Sequence, residues 1–134
     1  MRLVLDASIT VRLLSNRGAD DLLRKRLASP RTLHAPHLLD AEVVSAVRGL
    51  LLGRKLDGAR ADQLLADFAA LRIIRHPMTP QLRRVLALRD TLTAYDACYV
   101  ALAEALGAPL LTLDAKFTGA TGHHAEVHIY PYGN

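Results

Sequence analysis

Four acidic residues spread along the chain have the types and positions that suggest chemistry: Asp6, Glu42, Asp96 and Asp114. Asp6 and Asp114 end the apolar runs LVLD and LLTLD, whereas Glu42 and Asp96 fall in the first turns of predicted helices. Carboxylates brought together repel one another, and some stay protonated at neutral pH unless a cation is present. Hard oxygen ligands select Mg²⁺ or Mn²⁺, and a carboxylate-held metal can activate water for phosphodiester cleavage. The four acids therefore predict phosphodiesterase or nuclease chemistry.

Short apolar runs that alternate with amphipathic segments must position these acids. Strands are predicted at 3–5, 32–35, 72–76, 110–113 and, as a half-exposed edge strand, 126–130. Helices are predicted at 8–14, 20–27, 38–52, 57–71, 81–88 and from 92 to the Gly-Ala-Pro break at 107–109. This order predicts one α/β domain whose mostly parallel sheet of four to five strands is covered by helices on both faces. Strand exits and helix starts then meet at the carboxyl edge of the sheet, where such folds bind ligands.

The acids also have a purely structural interpretation, because acids at strand-to-helix junctions cap helices and complement their dipoles. Thr93 and Asp96 match a capping box, and we assign Asp40 as the N-cap of the helix that holds Glu42. Capping does not require four acids on four elements to fall at one edge of a sheet. Their coincidence favours a shared site.

The composition indicates a single domain with an aliphatic core. Of 134 residues, 51% are hydrophobic, which excludes a disordered chain. None is Trp, so the core must be built from Leu, Val, Ile and Ala. Basic residues number 17 and acidic residues 13, so the surface is basic once the four acids are set aside, as contact with a phosphate backbone requires. Cys98 is the only cysteine, which fits a reducing cytoplasm. The first apolar run is interrupted at Asp6 and predicts neither a signal peptide nor a membrane span.

Three segments carry a resemblance to a known family: LVLDAS at 3–8, PHLLDAEVVSAVR at 36–48 and TAYDACYVALAEALGAPLLTLD at 93–114. With these motifs and their spacing, the chain resembles PIN-domain ribonucleases, most closely the VapC-type toxins of type II toxin–antitoxin pairs. The resemblance implies one PIN-like domain over residues 1–134 and a Mg²⁺-dependent endoribonuclease, for which Mn²⁺ is a plausible substitute. It also implies a homodimer and a cognate antitoxin that blocks the cleft.

The same resemblance implies roles for particular side chains. Asp6, Glu42, Asp96 and Asp114 correspond to the catalytic acids. We expect the three aspartates to bind the metal, with Glu42 binding directly or through a water. The hydroxyls of Ser8 and Thr112 match positions that order the site.

Two basic residues are weaker candidates for contact with RNA. Arg12 is chosen for its position just after the first acid. The other is Lys116: some PIN domains have a further acid just after the last one, but here Asp114 is followed by Ala115, Lys116 and Phe117. A charged lysine cannot ligate a metal but can bind phosphate, so the number of metal ions stays open.

Two other functions remain compatible with the sequence. The run Asp6-Ala7-Ser8-Ile9-Thr10 partly resembles the motif of phosphatases that use an aspartyl phosphate, although Ser8 replaces the second acid of that motif, and a receiver-like domain lacks its acid pair here. A non-catalytic module could use the same cleft to bind a partner. No motif identifies which RNA would be cleaved.

Overall fold

The described strands are short segments of three to five residues, and helices connect one strand to the next. A computed structural model describes residues 1–15 and 21–130, except for the side chains of residues 21 and 22. The strands are β1 (Arg2–Leu5), β2 (Thr32–Pro36), β3 (Ile73–His76), β4 (Leu110–Thr112) and β5 (Val127–Ile129). The helices are α1 (Ala7–Ser15), α2 (Asp21–Ala28), α3 (Leu39–Leu52), α4 (Gly58–Ala70), α5 (Leu82–Ala87), α6 (Ala94–Leu106) and α7 (Lys116–Gly119). Asp20, where the second helix was predicted to begin, lies outside the described residues.

The described strands form one sheet in the order β3-β2-β1-β4-β5, with every neighbouring pair parallel. The chain moves outward from β1 to β2 and β3, then crosses back past β1 to β4 and β5. Because parallel crossovers are right-handed, this reversal places α1, α3 and α4 on one face and α5 and α6 on the other. Helix contacts agree, since α1 packs on α3 and α4 while α5 packs on α6. The predicted fold class is confirmed.

The reversal also determines where the sheet can bind a ligand. β1 and β4 are neighbours, but the connections that leave them go to opposite sides of the sheet. Their carboxyl ends therefore open a crevice at the switch point of the topology. Asp6 directly follows β1, and Asp114 lies two residues after β4.

The central strands are buried on both faces, which explains why their sequences do not alternate between apolar and polar residues. Leu3, Val4 and Leu5 of β1 are buried, as are Leu110 and Leu111 of β4. Continuous apolar runs of this kind are typical of parallel strands covered by helices. β5, in contrast, is partly exposed throughout and forms an edge of the sheet, as predicted.

Local sequence signals define both ends of α6, the helix that carries Asp96. The hydroxyl of Thr93 accepts a hydrogen bond from the backbone N–H of Asp96. Gly107 ends the helix in the left-handed conformation, with φ of 60°, and its N–H bonds the carbonyls of Ala103 and Glu104. A residue with a Cβ would be strained there by roughly 1 kcal/mol. Thr93 and Gly107 thus determine where the helix begins and where the chain turns into β4.

The prediction that Asp40 caps α3 is wrong. The residue before α3 is Leu38, whose side chain makes no cap bond, and Asp40 already lies inside the first turn. Its carboxylate accepts hydrogen bonds from Nε of Arg75, at 2.9 and 3.0 Å. Asp40, which was expected to cap its own helix, therefore joins α3 to β3.

A separate 3₁₀ turn over Thr79–Gln81 precedes the helix that was predicted at 81–88. The residue before that turn is Met78, which makes no side-chain cap bond, and α5 begins only at Leu82. The four-residue helix α7 was not predicted. No helix within the described part of the chain is long and apolar enough to cross a membrane.

Candidate active site

Asp6 is held tightly at the exit of β1. Its side chain is 6% exposed. Oδ1 accepts hydrogen bonds from Oγ of Ser8 at 2.6 Å and from the backbone N–H of Ile9 at 3.0 Å, while Oδ2 accepts one from Oγ1 of Thr112. The bond from Ile9 is an N-cap bond for α1, so Asp6 has the structural role of a cap as well as a place at the sheet edge.

Two hydroxyls tie the exit of β1 to the exit of β4. Oγ of Ser8 donates to Asp6 and accepts from the backbone N–H of Leu113 at 3.1 Å. Oγ1 of Thr112 donates to Asp6 and accepts from the backbone N–H of Asp114 at 3.0 Å. Because each hydroxyl has one proton, both protons are directed at Asp6. Ser8 and Thr112 therefore lie where residues that order the site are expected.

Glu42 projects from the first turn of α3 and is held by a tyrosine. The hydroxyl of Tyr99 donates to Oε1 of Glu42 at 2.5 Å. Tyr99 lies on α6, only 1% exposed, so its ring is fixed by the core. The contact links two helices from opposite faces of the sheet.

Asp96 and Asp114 share one cation. Nζ of Lys116 lies 3.0 Å from Oδ2 of Asp96 and 3.0 Å from Oδ2 of Asp114. The backbone N–H of Lys116 also donates to Oδ1 of Asp114 at 3.0 Å. Thr93 caps α6 as the capping-box motif predicts, but the carboxylate of Asp96 is directed to Lys116.

The pKa values of Asp6, Glu42 and Asp114 are shifted in two different directions. Burial raises the pKa of Asp6 against the three hydrogen bonds that lower it, and the charge of Asp114 raises it further. Burial also raises the pKa of Glu42; the bond from Tyr99 opposes this, and the charges of Asp96 and Asp6 add to the rise. Burial alone would raise the pKa of Asp114, but the hydrogen bonds and charge of Lys116 outweigh it and lower that pKa.

The four acids therefore lie close enough to influence one another, as their shared edge requires. Across residues 1–15 and 21–130, however, no three His, Cys, Asp or Glu side chains form a ready metal-binding cluster. The ammonium of Lys116 lies between two of the expected ligands. The ligand set of Asp6, Asp96 and Asp114, with Glu42, stays a prediction.

A divalent cation nevertheless fits the chemistry of this edge. Its donors are carboxylate oxygens, which Mg²⁺ and Mn²⁺ prefer. Asp6 uses three of roughly four acceptor positions, which leaves Oδ2 able to take one more partner. Positive charge is already stabilised between Asp96 and Asp114, because the pKa of Lys116 is raised by those two carboxylates although burial lowers it.

The other candidates lie elsewhere or have structural partners. Arg12 occupies the last turn of α1, roughly 9 Å along the helix axis from Asp6. Two other arginines, Arg75 and Arg84, pair with Asp40 and Glu104. Burial raises the pKa of the Cys98 thiol, as expected for a packed cysteine.

Sequence reasoning missed Tyr99 and the ion pairs of Lys116. Tyr99 stands three residues after Asp96, so the two share a helix face, and this spacing was a usable signal. The pairing of Lys116 with Asp96 joins β4 and α6 at the switch point. Because that strand order was not predicted, the pairing could not be.

Known proteins resemble this chain over almost its whole length. A PIN domain family model matches residues 3–122, a range that includes all four acids. Ribonuclease VapC12 of Mycobacterium tuberculosis is 36% identical over 127 residues, which cover 95% of this chain and 98% of that protein. Ribonuclease VapC1 of the same organism is 38% identical over 127 residues, covering 94% and 96%.

Solved structures show the same fold at lower identity. VapBC2 from Rickettsia felis, bound to a DNA fragment from the promoter, superposes with a TM-score of 0.70 at 17% identity, covering 96% of this chain and 98% of that one. A toxin–antitoxin complex from Klebsiella pneumoniae gives a TM-score of 0.67 at 22% identity, covering 98% and 99%.

Proposed function

The chain belongs to the PIN domain family, with the VapC ribonucleases as its relatives, and from this premise we propose that it is a Mg²⁺-dependent endoribonuclease, the toxin of a toxin–antitoxin pair. Its substrate is RNA, and the reaction is hydrolysis of a phosphodiester bond. Asp6, Glu42, Asp96 and Asp114 are the catalytic acids.

One observation carries the proposal: acids from four separate elements meet at the carboxyl edge of the sheet, beside the switch point between β1 and β4. Two of them, Asp6 and Glu42, have raised pKa values, with burial the largest cause and neighbouring carboxylates adding to it. Such a concentration of negative charge destabilises the folded chain unless a cation offsets it. A structural network would pair these acids with basic residues, whereas here only Asp96 and Asp114 have a lysine partner among the ion pairs of the described residues.

Some residues of the site orient the acids, and the acids themselves supply the negative charge. Ser8, Thr112 and Ile9 orient Asp6 and leave its Oδ2 with one acceptor position to spare. Tyr99 orients Glu42, and burial raises the pKa of Glu42, which favours a role in proton transfer. Asp6, Asp96 and Asp114 would hold the metal, with Glu42 joining directly or through a water. When bound, a divalent ion supplies activation of water and neutralises charge that develops on the phosphate.

The family relatives also support partners for this chain. We propose a cognate antitoxin that covers the cleft, since a structural neighbour is a toxin–antitoxin complex. A homodimer and a cytoplasmic location complete the proposal, the latter because the lone Cys98 fits a reducing compartment. Arg12 and Lys116 remain the candidates for contact with the RNA backbone.

The experiment is cleavage of total RNA by the purified chain with Mg²⁺ and with EDTA, followed by mapping of the new 5′ ends. We expect cleavage only with Mg²⁺. Asp6→Asn and Asp96→Asn should each reduce it at least about 100-fold, because each removes a charge at the reacting centre.

Asp40→Asn is the matched control, because Asp40 lies in the same first turn as Glu42 but pairs with Arg75 outside the site. It should leave cleavage unchanged. Thermal melting would show that all three variants fold. Cleavage at the wild-type rate by either Asn variant of a site residue would contradict the proposal.

The two other functions considered from the sequence are less well supported. Phosphatases that use an aspartyl nucleophile have a second acid two residues later as the proton donor, and Ser8 stands at that position here. A binding module without catalysis predicts no Mg²⁺ binding, which the titration described below tests directly.

A further inference from the structure

The position of Lys116 relative to the acids has a consequence for metal binding that rests on the proposed function. We propose that Lys116 is a built-in counter-cation, which occupies the metal-binding oxygens of Asp96 and Asp114 and must leave them when a divalent ion binds. Competition from this ammonium then sets the metal concentration at which the site is loaded.

The geometry of the ion pairs makes the competition direct. Nζ of Lys116 is 3.0 Å from the Oδ2 atoms of both Asp96 and Asp114, so it lies between them. A metal held by these aspartates needs the same region, and an ammonium, which has no lone pair, cannot share coordination with it. Two cations a few ångströms apart also repel each other. Binding of the metal and pairing with Lys116 are therefore mutually exclusive.

The surroundings allow the side chain to leave without disturbing the fold. Phe117, the next residue, is 1% exposed and anchors α7 in the core. The backbone N–H of Lys116 is fixed by Oδ1 of Asp114. The side chain itself is 49% exposed, so its flexible stem can turn toward solvent. The backbone stays in place while the charge moves.

The pairing also explains how the carboxylates of Asp96 and Asp114 can share one edge of the sheet with Asp6 and Glu42. An acid at the position of Lys116 would add to the repulsion among these carboxylates, whereas a lysine relieves it. The metal-free chain is stabilised by the lysine, and the same stabilisation must be given up when the metal binds.

The test is a titration of the purified full-length chain with Mn²⁺ and Mg²⁺, using isothermal calorimetry at low salt. Lys116→Gln should bind Mn²⁺ about three- to tenfold more tightly than wild type, the range expected when a partly exposed charge is removed from the site. Lys116→Arg keeps the charge and should bind no more tightly than wild type. Lys55→Gln makes the same change in net charge in the loop after α3 and should leave the affinity unchanged.

A direct readout is the ¹⁵N signal of the lysine ammonium groups, which is simple to assign because the chain has only three lysines, at 25, 55 and 116. In the metal-free chain, pairing with Asp96 and Asp114 should slow the exchange of the Lys116 ammonium protons with water. Saturating Mg²⁺ should remove this slowing and leave the signals of the other two lysines unchanged. Equal or weaker metal binding by Lys116→Gln would overturn this inference alone, provided that wild type binds metal and cleaves RNA. If neither protein binds a divalent ion, the proposed function fails as well.

Discussion

The two strand exits that meet at the switch point hold their acids in opposite ways. At the exit of β1, Asp6 is buried and receives three hydrogen bonds from uncharged donors. At the exit of β4, the side chain of Asp114 is 42% exposed and pairs with a lysine that it shares with Asp96. The first region is fixed by packing and hydroxyls, and the second by charges that can exchange partners.

This difference indicates how a site with four neighbouring acids can be stable and still bind a metal. A carboxylate that is oriented in advance presents its oxygen without reorganisation when a ligand arrives. A carboxylate neutralised by a mobile ammonium keeps repulsion low until a stronger cation replaces it. We therefore expect the Asp6 region to govern stability and the Asp96–Asp114 region to govern cation exchange.

The largest expected effect that separates the regions is on the free energy of unfolding. Asp6→Ala leaves the hydroxyls of Ser8 and Thr112 and the N–H of Ile9 without their acceptor, at a cost of about 2–3 kcal/mol. The two hydroxyls are 3.3 Å apart and recover part of the loss by bonding to each other. Asp114→Ala removes an exposed pair and should cost less than about 1 kcal/mol. Urea unfolding of both variants measures the difference. Equal losses in the free energy of unfolding would show that the two regions do not differ in how they stabilise the fold.

The second effect, on RNA cleavage, tests whether Glu42 is held as firmly as Asp6. Tyr99→Phe keeps the buried ring but removes the hydroxyl that donates to Glu42, so RNA cleavage should fall about tenfold. Because that hydrogen bond lowers the pKa of Glu42 against burial, its loss should move the acidic limb of the pH–rate profile to higher pH.

Tyr95→Phe is the matched control on the same helix, since Tyr95 is exposed. It should change neither the rate nor the profile. An unaltered profile in Tyr99→Phe would mean that Tyr99 serves packing alone.

The smallest effect is the dependence of stability on pH, which should have opposite signs in the two regions. The pKa of Asp6 is raised above its ordinary value of 3.8, so the folded chain binds the proton more tightly and Asp6 costs stability as the pH rises above about 4. The pKa of Asp114 is lowered from the same 3.8, so its stabilisation is present above that pH and is lost as the pH falls through the folded pKa.

Urea unfolding between about pH 2 and pH 7 compares wild type with Asp6→Asn and Asp114→Asn. Relative to wild type, Asp6→Asn should gain stability as the pH rises above about 4. Asp114→Asn should have a lower free energy of unfolding than wild type near neutral pH, and this difference should shrink as the pH falls below about 4. If the stability of both variants relative to wild type changed in the same direction with pH, the two regions would be electrostatically alike.

Much of this comparison was predictable because it depends on local patterns. Apolar runs that end in an acid located Asp6 and Asp114 at strand exits, and the Gly-Ala-Pro break separated α6 from β4. The small hydroxyls at Ser8 and Thr112 were identified through the family resemblance. These features depend on neighbours in sequence or on a motif that preserves them.

The remainder depends on contacts between distant segments. Asp40 looked like a cap, but the turn before α3 places it one step inside the helix, where Arg75, 35 residues away, reaches it. Lys116 pairs with Asp96 only because β4 lies beside β1 and α6 begins at the same edge. Strand order decides both contacts, and no single segment encodes it.

The most direct measurement is a crystal structure of the chain grown with Mn²⁺, with the ion located by its anomalous scattering. We expect a Mn²⁺ peak bounded by the carboxylates of Asp6, Asp96 and Asp114, with Glu42 beside it and the ammonium of Lys116 turned away. A site without an anomalous peak at saturating Mn²⁺, with Lys116 still between Asp96 and Asp114, would contradict it.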